Sequence, residues 1–319
     1  MAEIRAQTVG VASYLGDMEI SVDRRSLLAA GVTVLLWASA FVAIRSAGEH
    51  FSPGALALGR LLAGSAVLVV VLLVRRESWP PRAAWPGIVA AGVLWFGVYM
   101  VALNWGEQEV DAGTAAMIVN VGPVLIALLA GWLLKEGFPR RVLAGIAVSF
   151  TGAVVVGFSM SGEGHASVLG VLLCALAAVT YAIGVTCQKP TLKHVSAVQF
   201  TTFACLVGTV ALLPFTGQLI DQVGTAPTSA TLNVVYLGVF PTAIAFLTWG
   251  YALARTTAAK MGATTYVVPA IVVAMSWLLL AEVPGWFTLA GGVLCLAGVA
   301  VSRARTRKVN PAAEPVVVT

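Results

Sequence analysis

Charge is what this 319-residue sequence has least of. Asp, Glu, Lys and Arg together make up 10% of it, where a water-soluble domain carries roughly 25%. Hydrophobic residues make up 59%, and the mean hydropathy is +0.92. A water-facing surface cannot be built from that inventory, so the natural solvent is lipid. Histidine is scarce as well. His50, His165 and His194 all fall in polar connections, and no HExxH, no GxSxG and no Gly-rich phosphate loop with its lysine is present. Enzyme signatures are therefore missing, and no catalytic residue, metal site or cofactor is expected. The four cysteines, Cys174, Cys187, Cys205 and Cys295, sit in apolar runs without CxxC spacing and read as small packing residues. The net charge of +5 does not point to nucleic acid. In a lipid-embedded chain it reflects basic residues on cytoplasmic connections.

What is present is a series of long apolar runs. A spanning helix needs about 20 mostly apolar residues. Ten runs qualify: 27–47, 54–74, 86–106, 112–134, 141–159, 167–187, 195–216, 230–252, 260–281 and 285–302. The connections are too short for a soluble domain. Before them, "VGVASYLG" is too short and wrongly flanked for a signal peptide, so residues 1–26 are expected to form a cytoplasmic tail and 303–319 another. Seventeen of the 19 Lys and Arg lie in the two tails or the even-numbered connections; only Arg45 and Arg60 do not. That split puts both termini in the cytoplasm, with a bacterial-type plasma (inner) membrane as the expected location. The expected fold is an all-α polytopic membrane protein of ten transmembrane helices.

The chain also states one pattern twice. "PVLIALLAGWLLKEGFPRRVLAGIAVSFTG" begins at Pro123 and "PAIVVAMSWLLLAEVPGWFTLAGGVLCLAG" at Pro269, 146 residues later. Residues 112–155 and 258–301 share eleven identities in 44 positions, including the Pro, the Glu and two Gly. The earlier runs repeat more weakly at a shift of 144, with Trp37 over Tyr181 and "LNWG" over "LTWG". The expected domains are a first five-helix repeat, 27–159, and a second, 167–302. Five is odd, so the second copy is inverted in the membrane, an arrangement that supports alternating access to a central cavity.

Ten runs, a five-plus-five repeat and a closing pair of the form Pro, Glu, Gly, Gly resemble the drug/metabolite transporter superfamily in its EamA-type exporter branch, over roughly residues 27–302. The resemblance implies a basket of ten helices around a substrate cavity, and export of amino acids, other metabolites or drug-like compounds. A multidrug exporter on the same scaffold and a membrane-embedded non-transport protein stay open as alternatives. The expected partners are a small-molecule substrate and the lipid bilayer, with no nucleic acid. Proton or ion coupling and a homodimer are left open.

Candidate site residues follow from the repeat. Pro123 and Pro269, near the centres of their runs, each free a backbone carbonyl four residues earlier, at Val119 and Thr265. Asn120 and Tyr266, three residues before each proline, can hydrogen-bond inside the bundle. Trp37 and Tyr181 open the two halves, and Tyr99 adds another ring. Rings supply a cavity with apolar area and a polar tip. These seven are the expected cavity lining, against packing or structural kinks. Glu136 and Glu282 end equivalent helices and read as gates, or as anchors that bond the next helix's first amides. Arg60 is the single charge clearly within a run, either functional, or snorkelling to the interface, or paired with Glu49 or Glu107. The cluster Glu107, Glu109 and Asp111 reads as a solvated turn, against a site that attracts protons or cations. A stripe of Gly145, Ser149, Ala153 and Gly157 predicts close approach of another helix.

Overall fold

The computed structural model describes residues 24–110, 115, 118–160, 167–268, 270, 271, 275 and 286–303. Among them every regular element is a helix. The first half holds α1 (Arg24–Gly48), α2 (Pro53–Val74), α3 (Arg82–Glu109), α4 (Gly122–Leu133) and α5 (Arg140–Met160). The second half holds α6 (Val168–Thr191), α7 (Ala197–Ala211), α8 (Leu213–Thr225), α9 (Thr228–Ala254), α10 (Ala258–Thr264) and α11 (Trp286–Arg303). Five of these (α1, α2, α3, α6 and α9) are long and apolar enough to cross a bilayer alone. The pair α7 and α8 makes a sixth candidate if counted through its 53° bend. Gly122–Leu133 and Leu289–Ser302 are shorter apolar helices. The chain is a multi-pass membrane protein.

Several runs differ from their expected limits, the third and seventh among them. The seventh, expected over 195–216, stops at Ala211, and Pro214 in the next turn cannot donate into a continuing ladder. The following helix α8, expected as loop, buries Leu219 and leaves Gln218 and Asp221 exposed. Its Gln222 Oε1 accepts the Ser52 amide at 2.9 Å, and so satisfies one of the free N–H groups at the start of α2. The third run continues to Glu109 rather than 106.

Both α3 and α9 widen in mid-span into a π turn, at Gly92–Val98 and Gly238–Ile244. Pro241 explains the second. It offers no N–H to the Leu237 carbonyl, and Thr242 Oγ1 donates to that oxygen instead, at 2.8 Å. Glycines let helices cross at these same places. A Cβ on Gly64 of α2 would lie 2.9 Å from the Gly238 carbonyl of α9, and one on Gly208 of α7 would lie 2.9 Å from the Gly92 carbonyl of α3.

The stripe on α5 faces α11. A Cβ on Gly145 would meet the Gly298 carbonyl at 2.5 Å, and one on Gly152 would meet the Gly291 carbonyl at 2.6 Å. Between them Ser149 Oγ donates to the Cys295 carbonyl at 3.0 Å, and Cys295 Sγ donates to the Ser149 carbonyl at 3.5 Å. The side chains of Ala153 and Gly157, also expected on this face, lie outside the described residues.

Candidate functional site: a charged, aromatic cavity

Helices α1, α2, α3, α4, α6 and α9, with the segment after α10, enclose a cavity of about 80 Å³. Each contributes through helical spacing. Trp37, Ala40, Phe41 and Ile44 form one stripe of α1, and Trp95, Tyr99, Leu103 and Glu107, four residues apart each time, form one stripe of α3. Arg60 enters from α2, Val119 and Asn120 from just before α4 and Pro123 from its first turn, Tyr181 from α6 and Phe246 from α9, while Thr265 and Val268 follow α10. Six of the residues singled out from the sequence thus meet in one space: Trp37, Arg60, Tyr99, Asn120, Pro123 and Tyr181.

The floor is aromatic. Trp37 packs edge-on to Tyr181 at 6.4 Å between centroids, to Phe246 at 5.4 Å and to Trp95 at 6.4 Å, and lies 4.9 Å from Trp249. Edge-to-face and tilted pairs of this kind add to simple area burial. The break at Pro241 orients two lining side chains. Trp37 Nε1 donates to the Pro241 carbonyl at 3.2 Å, and Arg60 Nε donates to Thr242 Oγ1 at 2.7 Å. Arg60 is 3% exposed, which speaks against the snorkelling alternative. Trp249, fully buried, donates through Nε1 to Gln188 Oε1 at 3.0 Å.

Two polar atoms at or near the cavity make no hydrogen bond: Glu107 Oε1 is shielded from solvent without a partner, as is Asn104 Oδ1 on the neighbouring face of α3. Buried polar atoms rarely stay unpaired. Glu107 was read from the sequence as part of a solvated turn. That reading is corrected here, because α3 runs on to Glu109 and carries Glu107 round to the cavity face. Trp95, Phe246 and Thr242 were also missed. Only Pro241 gave a sequence signal, as a proline inside an apolar run.

Tyr266 takes a different place from the one expected. It is fully buried against Val142, Ile146, Ala263 and Cys295, and is not part of the cavity wall. Its hydroxyl donates across the bundle to the Asn120 carbonyl at 3.0 Å. The Thr265 carbonyl, expected to be free, accepts the Val268 N–H at 2.9 Å in a tightened turn. Glu136 is an anchor, and its target is more distant in sequence than the next helix. Its carboxylate accepts the amides of Ala258 and Ala259 at 2.9 and 3.3 Å, at the start of α10. A carboxylate there also meets the positive end of the helix dipole. Pro269 and Glu282 lie outside the described residues.

Comparison with known proteins gives a consistent picture. The profile described as the EamA-like transporter family matches residues 24–158 and again 168–304. A protein of Streptantibioticus cattleyicolor named as a probable terminal-alkyne amino-acid exporter is 37% identical over 279 residues, covering 86% of this chain and 92% of that one. An uncharacterized transporter of Bacillus subtilis is 34% identical over 275 residues, covering 86% and 90%. A probable amino-acid metabolite efflux pump of Salmonella typhimurium is 24% identical over 295 residues, covering 88% and 95%. One solved structure superimposes with a TM-score of 0.71 at 21% identity, over 87% of this chain and 96% of that one, a likeness of fold.

Proposed function

The chain belongs to the EamA-like transporter family, and on that premise we propose that it exports a small amino acid or related organic metabolite through the central cavity by alternating access. It is a transporter rather than an enzyme. The observation that carries the proposal is the convergence of Trp37, Arg60, Tyr99, Asn120, Pro123 and Tyr181, from five helices, on one internal space. One relative is named a probable terminal-alkyne amino-acid exporter and another a probable amino-acid metabolite efflux pump, which favours that substrate class. At about 80 Å³ the space is contracted, against roughly 300–1,000 Å³ for organic-ligand sites. Transport therefore requires the surrounding helices to part.

The proposed architecture is ten spans in two inverted five-helix repeats, 27–159 and 167–302, with both termini in the cytoplasm of a bacterial-type inner membrane. An axis relating two inverted halves must pass between equivalent residues, so equivalents should touch each other. Five pairs support this. Trp37 meets Tyr181, Leu61 meets Cys205 and Ser65 meets Thr209, all 144 apart. Asn120 meets Tyr266 and Ser149 meets Cys295, both 146 apart. The π turns, 146 apart, and the twice-used glycine crossing support the same axis.

One observation favours a second reading, a multidrug exporter. Such a protein calls for a cavity acid to hold cationic drugs, and Glu107 is one. Arg60 in the same wall opposes it. Counterflow in proteoliposomes decides. Amino acids should exchange against their labelled counterparts, and hydrophobic cations should not. Exchange of cations alone would favour the second reading, and exchange of neither would reject transport through this cavity.

A further inference from the structure

An ionised side chain inside a bilayer is expensive and needs an opposite charge, a polar partner or water. This cavity holds one basic and one acidic side chain, Arg60 and Glu107. We propose that Arg60 and Glu107 form a two-point clamp for zwitterions, in which Arg60 takes the solute's carboxylate, Glu107 takes its ammonium group, and the aromatic floor takes the apolar remainder. The proposal rests on the reading of the cavity as the transport site and adds the chemistry by which that site selects.

Each half of the clamp has its own support. Arg60 is buried, and its Nε is held by Thr242 at 2.7 Å. That fixes the side chain and leaves the Nη groups, whose fork matches a carboxylate. The anchor itself is fixed, because Thr242 spends its proton on the carbonyl that Pro241 leaves without a donor. Glu107 lines the same wall, and its Oε1 is buried without a donor. Both side chains line one space, yet no ion pair joins them among the described residues. A solute carrying both charges would satisfy both groups at once. An amine or an acid alone would leave one group buried and unpaired, which costs more than the missing bond itself. The Tyr181 hydroxyl, in the same wall, adds a further polar contact. Trp37, Trp95 and Phe246 then meet the solute's side chain, so apolar and aromatic amino acids should fit better than acidic or basic ones.

The test uses the purified full-length chain with L-phenylalanine, L-leucine and L-methionine as zwitterions. Phenethylamine and 3-phenylpropionate are the single-charge analogues. The zwitterions should raise the melting temperature, and the analogues should need about tenfold or higher concentration for the same shift. Glu107→Gln should abolish the preference for phenylalanine over 3-phenylpropionate, and Arg60→Gln the preference over phenethylamine. Should Arg60→Gln fail to fold, the wild-type series and Glu107→Gln decide without it. The clamp is overturned if the wild-type chain takes single-charge analogues as readily as zwitterions, or if Glu107→Gln leaves the ratio unchanged. It is overturned separately from the transport reading if the chain moves other solutes in proteoliposomes while no amino acid binds. If no solute moves at all, both fall together.

Discussion

Two of the places where the two halves of the chain meet are built in opposite ways. Between α5 and α11 the contact is backbone on backbone. Gly145, Gly152 and Gly298 leave no room for a Cβ, and Ser149 and Cys295 exchange hydrogen bonds with each other's carbonyls. Around the cavity the contact is ring on ring and side chain on side chain. Trp37 faces Tyr181 at 6.4 Å with open space beside them, and unpaired polar atoms border the gap. Close-packed backbone permits little relative motion, whereas side chains can change rotamer at small cost. The proposed alternating access would use that difference, with the α5–α11 seam holding the halves together and the cavity side opening between them.

The comparison breaks most readily at the seam. Gly298→Leu should destabilise by about 1–3 kcal/mol through overpacking, because even a Cβ there would strike Ser149 Oγ and the Gly145 carbonyl. A melting curve in detergent checks it, and an unchanged curve would mean the helices can separate freely. Thr242→Val attacks the cavity side. It removes the donor to the Leu237 carbonyl and the acceptor of Arg60 Nε, each bond worth about 0.5–3 kcal/mol. Substrate affinity should fall along with stability, whereas Gly298→Leu should lower stability alone.

Smaller effects sharpen the division. Glu136→Gln should cost about 1 kcal/mol, the usual scale of a lost helix cap, since it weakens the hold on two amides at the start of α10. Chemical denaturation read by tryptophan fluorescence would measure it, with binding affinity in the folded fraction unchanged. Tyr266→Phe removes one cross-bundle hydrogen bond to the Asn120 carbonyl and should cost about 0.6 kcal/mol. Counterflow rates should stay close to wild type, because the hydroxyl is spent on backbone rather than offered to solute.

Much of this was legible in the sequence. The repeat showed because Pro, Glu and Gly recur at fixed spacing, and those residues govern backbone geometry that apolar side chains leave free. The lining positions of Trp37, Tyr99, Asn120 and Tyr181 followed from the repeat and from polar tips within apolar runs. Glu107 escaped because a cluster of acids at a run's end looks like a turn. Only the continuation of α3 to Glu109 puts it in line with Tyr99 and Leu103. Tyr266 was expected in the cavity wall and instead bonds the Asn120 carbonyl, beyond a tightened turn through Thr265 that periodicity does not register. The π turns left no mark at Gly92–Val98, and only Pro241 hinted at the other.

The central claim is that solute passes through the cavity bordered by Asn120. A cysteine placed there tests it most directly. With Cys174, Cys187, Cys205 and Cys295 replaced and Asn120→Cys introduced, a small membrane-impermeant alkylating reagent should modify the new thiol in proteoliposomes. A transported amino acid should slow that reaction in proportion to its occupancy, while a non-transported analogue should not. A thiol that never reacts, or one that reacts at the same rate with saturating substrate, would contradict the account.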